Sequence, residues 1–144
     1  MSLIRRVGGV VLAGVLMLAT LGVESTRAEV VAVVSAKSPI TTLSKSQVVD
    51  LFLGKVSRFP DGTQAVPIDQ AEGSAARDEF YEKLAGKTAA QLKAYWSKII
   101  FTGRGQPPPI VSNSIEMKKR ISDNPASIGY IDRSLVDDSV RVVF

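Results

Sequence analysis

The feature that most constrains the fold is a run of four valines and one alanine at residues 30–34. Valine is restricted at χ1 and prefers extended backbone, so the run predicts a β-strand. Five apolar residues in a row leave no polar face for solvent. Such a strand is typical of a parallel sheet that is covered by helices on both faces. The run therefore indicates a central strand in a layered α/β domain.

The composition excludes most site chemistries. The 144 residues contain no His and no Cys, so an imidazole base, a thiolate nucleophile and the usual nitrogen and sulfur zinc ligands are absent. The remaining acid–base groups are carboxylates, Lys and Tyr, and no carboxylate pair has a spacing that suggests glycoside or phosphoryl chemistry. We therefore expect no enzyme, no metal site and no cofactor.

Residues 1–28 have the order of a secretory signal peptide. Arg5 and Arg6 precede an apolar run over residues 7–23, and small residues lead to Ala28. The alternative is a single membrane anchor, because a run of about 17 residues is near the lower limit for spanning a bilayer. We expect cleavage after Ala28 and export to the periplasm, which leaves one domain at residues 29–144.

The charge of the chain does not indicate a nucleic-acid partner. The formal net charge is +4, and part of it comes from arginines of the signal segment. The basic run 118–120 is expected to be a solvated helix face rather than a phosphate-tracking patch. An exported chain without cysteine must also be held together by an ordinary hydrophobic core.

Strands and helices alternate along the rest of the chain. Four helix N-caps are predicted, at Ser44, Ser74, Thr88 and Asn113. Three further strands are predicted, at residues 65–68, 127–131 and 140–144, and residues 101–109 are expected to form a loop. On the third helix, Trp96 is expected in the core, on an apolar stripe that ends at Ile100. The alternation indicates an α/β sheet with helices on both faces.

The segment that carries most functional information is the start of the second helix. Gly73 allows a ligand to approach the backbone, and Ser74 can cap the helix or donate a hydroxyl hydrogen bond. The planar guanidinium group of Arg77 can donate two parallel hydrogen bonds to an oxyanion. Together with the free N–H groups and the helix dipole, these residues suit phosphate or sulfate. The alternative is a plain N-cap with Arg77 paired at the surface to Glu72 or Asp78.

Two further residues are candidates for an anion site. Arg104 lies between two glycines, so the loop could present backbone donors and a cation, or it could be a glycine-rich turn with a solvated arginine. Asp69, at the end of the second strand, could accept a hydrogen bond from a protonated oxyanion, although a carboxylate near a helix start is commonplace.

Three segments, in order, resemble the phosphate-binding proteins of ABC importers. They are residues 43–55 (LSKSQVVDLFLGK), 73–80 (GSAARDEF) and 125–130 (PASIGY). Three segments in the right order are far more specific than any one of them. The resemblance covers most of the chain after the signal segment, yet members of the family are more than twice as long.

The resemblance implies a single lobe of the type 2 periplasmic-binding-protein fold, which is an α/β sheet with helices on both faces. Family members close two such lobes around the anion, and their amino-terminal anion loop has no counterpart here. Ser74 and Arg77 match the family's anion contacts. The family's first arginine is Gln70 in this sequence, its second glycine is Ala75, and its threonine is Ala76.

The resemblance also implies a function. We expect an exported, non-catalytic binding protein that takes phosphate or a similar oxyanion weakly and serves an ABC transporter permease or another envelope protein. The alternative is an envelope structural or interaction protein on the same fold, in which Ser74 and Arg77 act only in capping and surface pairing. A single lobe that encloses its anion would need a second wall, which a homodimer would supply.

Overall fold

The computed structural model describes residues 29–144, so the signal-peptide prediction for residues 1–28 lies outside the described residues. The strands are β1 (Val30–Ser35), β2 (Val66–Pro67), β3 (Asp69–Gln70), β4 (Ile110–Val111), β5 (Ser127–Asp132) and β6 (Val140–Val142). The helices are α1 (Lys45–Phe52), α2 (Ala75–Ala85), α3 (Ala89–Phe101) and α4 (Ser114–Asp123), and a 3₁₀ turn spans Arg133–Leu135. None of these helices is long and apolar enough to cross a membrane.

The main sheet has the strand order β2-β5-β1-β6. β1 pairs antiparallel with both of its neighbours, whereas β2 and β5 are parallel. The expectation that β1 belongs to a parallel sheet was therefore wrong. An all-apolar strand indicates only that both of its faces are covered, and helices can cover an antiparallel strand as well as a parallel one.

Helices cover both faces of the sheet, as the α/β prediction required. Val30, Ala32 and Val34 face a core cluster that also contains side chains of α1, α2 and α3. Val31 and Val33 face a second cluster, which contains side chains of α4 and of β6. The alternation of β1 side chains between two apolar cores explains why the strand has no polar position.

A smaller two-stranded sheet lies beside the main one. β3 and β4 pair in parallel, with Asp69 opposite Ile110 and Gln70 opposite Val111. The predicted strand at residues 65–68 contains β2, whereas β3 follows it at residues 69–70, was not predicted and pairs with a different strand. β4 was not predicted, because two apolar residues after a run of prolines carry no periodic signal.

The predicted helix N-caps are confirmed. Ser44 and Thr88 each form a complete capping box, and Ser74 and Asn113 each accept a hydrogen bond from the third backbone N–H of their helix. Trp96 is buried, with 6% of its surface exposed. The apolar stripe of α3 ends earlier than predicted, because Ile100 is about half exposed.

Two glycines of the resembling segments have packing roles. Gly54 has a φ of +71°, and a Cβ built on it would lie 3.1 Å from the Trp96 ring. A Cβ on Gly129 would lie 2.5 Å from the sulfur of Met117, so only glycine lets α4 approach β5 this closely. Part of the resemblance therefore encodes how helices pack on the sheet rather than contacts with a ligand.

Candidate functional site

Two helices begin side by side at one edge of the small sheet. β3 leads through a four-residue turn into α2, and β4 leads through two residues into α4. Because β3 and β4 are parallel, their carboxyl ends meet at the same edge, which is where open α/β sheets commonly bind ligands. The amino-terminal ends of α2 and α4 consequently share one cleft.

Gln70 holds the two helix starts together. Its side-chain oxygen accepts a hydrogen bond of 2.9 Å from Ser74 Oγ, and its Nε2 donates one of 3.0 Å to Ser114 Oγ. Nε2 also donates to the backbone oxygen of Tyr130 at 3.0 Å. Gln70 is 1% exposed, so all of its polar atoms are used inside the protein. Its role is to position Ser74 and Ser114 at the floor of the cleft.

The cleft presents unused backbone donors. Four first-turn N–H groups have no hydrogen-bond partner within residues 29–144, namely those of Ala75, Ala76, Ser114 and Ile115. The third N–H of each helix is already capped, by Ser74 in α2 and by Asn113 in α4. Free first-turn N–H groups and two helix dipoles make a ready-made environment for an anion.

The rim of the cleft opposes a highly charged anion. The cleft has a volume of about 1060 Å³, and its lining includes four carboxylates, those of Asp78, Glu79, Glu82 and Asp132. Its one ammonium group, on Lys83, forms an ion pair of 3.0 Å with Glu29. Within residues 29–144 no three acidic side chains are placed to hold a metal ion. The helix starts attract an anion while the surrounding carboxylates repel it.

Asp69 lies below the cleft and has no free oxygen. One carboxylate oxygen accepts a 2.6 Å hydrogen bond from Tyr81, and the other accepts from the Tyr130 hydroxyl and from the backbone N–H of Gln70. Arg77 Nε lies 3.6 Å from the same carboxylate. Burial, reinforced by the negative charge of Asp69, raises the pKa of both tyrosines well above the ordinary value. Asp69 is therefore a structural anchor rather than an acceptor for a ligand.

The structure separates the residues that the sequence grouped at the anion site. Ser74 lines the cleft, but Arg77 lines a different, smaller cavity and pairs with Asp69 rather than with Glu72 or Asp78. Gly73 has a φ of +89° and forms the turn before α2. Arg104 is exposed in the loop after α3 and lines neither cavity. That Ser74, Arg77, Gly73 and Arg104 bind a ligand stays a prediction.

Sequence reasoning missed half of the cleft. The capping pair Asn113 and Glu116 identified the start of α4, but nothing in the local sequence places that start beside α2. Gln70 looked like a departure from the family's arginine, and its bridging role depends on Ser114, which lies 44 residues away in the sequence. The sequence would predict that α2 and α4 begin side by side only if β4 were recognised as the partner of β3.

No protein-family model matches the chain, and no curated protein matches it. Several solved structures do match. A phosphate ABC transporter substrate-binding protein from Clostridium perfringens, solved with bound phosphate, is 26% identical over 79% of this chain and has a TM-score of 0.61.

Two other solved structures have the same fold. An ABC-type phosphate transport receptor from Vibrio cholerae is 19% identical with a TM-score of 0.61, and PstS from Borrelia burgdorferi is 15% identical with a TM-score of 0.59. Each match covers 79% of this chain but only 43–46% of the solved chain. The fold is thus that of phosphate-type substrate-binding proteins, and this chain spans less than half of their length.

Proposed function

We propose that this chain is an exported, non-catalytic binding protein whose cleft takes phosphate or a similar oxyanion with low affinity. The observation that carries the proposal is the meeting of two helix starts at one cleft, whose lining includes four residues with unpaired first-turn backbone N–H groups. Backbone donors at helix starts bind oxyanions without any need for His, Cys or a metal.

The comparison with solved structures supports the choice of ligand. The Clostridium perfringens protein was solved with phosphate, and it shares the fold at 26% identity. The order of basic, apolar and small residues over positions 1–28 supports export through a cleaved signal, with the mature chain starting at Glu29. In the periplasm, an ABC transporter permease or another envelope protein is the partner we propose for the loaded lobe.

Low affinity follows from two features of the cleft. Four carboxylates line the same cleft, and a like charge at about 4 Å costs on the order of 1 kcal/mol in water. The chain also spans less than half the length of the longer proteins, so the second lobe that the family resemblance implies is not among the described residues. We propose that a second copy of the chain closes the cleft around the anion.

Isothermal titration of residues 29–144 with phosphate tests this function. We expect a saturable signal with a dissociation constant on the order of 1 mM. Ser74→Ala should weaken binding several-fold, because it removes a hydroxyl and the cap that orders the α2 start. Ser44→Ala is the matched control, since it removes an equivalent cap from α1 away from the cleft. The absence of heat with a folded protein would reject the proposal.

One observation favours the second candidate function, an envelope interaction protein without a ligand. The acidic rim and the engagement of Arg77 by Asp69 leave the cleft without a free cation among its lining residues. Gel filtration with and without phosphate separates the two candidates. Phosphate-dependent dimerisation supports the binding protein, and unchanged elution together with a silent titration supports the interaction protein.

A further inference from the structure

A second, smaller cavity lies between the start of α2, the exposed face of α3 and the loop after α3. Its volume is about 190 Å³. Arg77 and Lys93 contribute to its lining, together with the apolar surfaces of Trp96, Ile100 and Pro107. None of the four unpaired N–H groups of the cleft belongs to this lining, so the two cavities are separate.

Two buried donors without acceptors belong to this cavity's lining residues. Arg77 Nε and Trp96 Nε1 are the side-chain atoms within residues 29–144 that are buried and have no hydrogen-bond partner. Buried polar groups in folded proteins are nearly always paired, so each exception asks for an explanation. Arg77 Nε lies 3.6 Å from the Asp69 carboxylate and Trp96 Nε1 is closed off from solvent, so the two atoms belong to lining residues but do not themselves face a ligand.

The charge of the lining indicates the kind of ligand that this cavity suits. Arg77 and Lys93 place two cations at the cavity against the single carboxylate of Glu72. Lys93 has no ion pair or hydrogen bond through its ammonium group among the described residues. The terminal guanidinium nitrogens of Arg77 likewise donate to no residue in 29–144, since only Nε approaches Asp69. Positive groups are therefore available to a ligand.

We propose that this cavity binds a small organic carboxylate with an apolar body. The carboxylate pairs with the Arg77 guanidinium and the Lys93 ammonium, and the apolar body rests against Trp96, Ile100 and Pro107. An inorganic oxyanion satisfies the cations but leaves the apolar wall uncovered, so it is the weaker ligand here. The site is independent of the oxyanion cleft and goes beyond the function proposed for it.

The chain contains a single Trp, so tryptophan emission reports on this cavity directly. The probe is cyclohexanecarboxylate, which does not absorb at the excitation wavelength. Two matched compounds accompany it: acetate, which lacks the apolar body, and cyclohexanecarboxamide, which lacks the charge. We expect a saturable change in Trp96 emission with the carboxylate, and at least about tenfold weaker responses with each matched compound.

A pair of variants on α3 assigns the response to the cavity. Lys93→Gln should raise the dissociation constant about tenfold, whereas Lys98→Gln should leave it unchanged. Both lysines are exposed, so both variants should fold, as far-ultraviolet circular dichroism will show. Arg77→Lys, with its fold verified in the same way, should also weaken binding, because a point charge cannot reproduce the planar fork.

Three results would overturn the proposal. They are the absence of a saturable emission change in the folded protein, equal affinities for Lys93→Gln and Lys98→Gln, and equal responses to the carboxylate and the carboxamide. Competition by phosphate at the concentration that fills the cleft would also count against it, because that result would place both ligands at one site.

Discussion

At the scale of single residues, the buried carboxylate of Asp69 organises the region below the cleft. Tyr81 and Tyr130 donate to it, and Phe80 stacks on Tyr130 with ring centroids 4.0 Å apart. Phe52 packs edge-on against the same rings. The sequence cannot show that these residues meet, because the partners are distant in the chain; Asp69 and Tyr130, for example, lie 61 residues apart.

Replacing Tyr81 by Phe should destabilise the protein, because it leaves one oxygen of a buried carboxylate without its donor. A hydrogen bond to a charged group contributes about 1.5–3 kcal/mol to the free energy of unfolding. Tyr95→Phe is the control, since it removes a neutral hydrogen bond to the Leu53 carbonyl, for which about 0.5–1.5 kcal/mol is expected. Urea denaturation measures both values, and equal losses would contradict a charged Asp69.

The same tyrosines predict the pH dependence of stability. Burial and Asp69 raise their pKa in the folded protein, so in the unfolded chain they ionise first, from the ordinary pKa of 10.0 upward. Their contribution is fully present below that pH and is lost above it, by about 1.4 kcal/mol per pH unit and per tyrosine. Tyr81→Phe should make this alkaline decline shallower, and an unchanged slope would contradict the assignment.

Trp96 and Phe101 provide a matched pair of aromatic residues on α3. Trp96 is buried against Gly54, whereas Phe101 is 93% exposed. Trp96→Ala should cost about 3–5 kcal/mol of stability, and Phe101→Ala should change it by less than about 0.5 kcal/mol. Urea denaturation followed by circular dichroism makes the measurement. Similar losses for the two variants would show that Trp96 is not part of the core.

At the scale of helices and strands, the sequence predicts what is encoded locally. The four N-caps and the helices that follow them could be predicted from the sequence, because an N-cap and the third residue of its helix are close together in the chain. The direction in which β1 pairs and the existence of β4 could not be predicted, since both depend on partners that are distant in the sequence. The candidate site follows the same rule: Ser74 was identified, but the contribution of α4 and the displacement of Arg77 were not.

The contact between β5 and α4 depends on the absence of a side chain at Gly129. Gly129→Ala should destabilise the protein by about 1–3 kcal/mol, because a methyl group there collides with Met117 and Ile121. Gly105→Ala is the control, since its added Cβ meets Ile99 at an ordinary 3.6 Å. Thermal unfolding of the two variants tests this packing, and equal melting temperatures would contradict it.

At the scale of the whole molecule, the chain resembles one part of a longer binding protein and carries carboxylates around the cleft where α2 and α4 begin. Neutralising one rim charge should therefore strengthen phosphate binding. Glu82→Gln is expected to lower the dissociation constant several-fold at low ionic strength, and the gain should shrink as salt screens the repulsion. Titration calorimetry at two salt concentrations measures this.

Asp123→Asn is the control for the rim experiment. It makes the same change in net charge, but it lies at the far end of α4, outside the cleft lining. A gain of equal size in both variants would show that net charge, rather than the rim, limits binding. A loss of binding in Glu82→Gln would place the anion elsewhere.

We propose that an oxyanion binds where α2 and α4 begin, and backbone amide shifts in a ¹⁵N-labelled sample of residues 29–144 test this most directly. On titration with phosphate, the amides of Ala75, Ala76, Ser114 and Ile115 should shift together along one saturable curve. The amide of Arg104, in the exposed loop, should stay in place. Shifts confined to the Arg104 loop, or no shift at the two helix starts when phosphate is saturating, would contradict the claim.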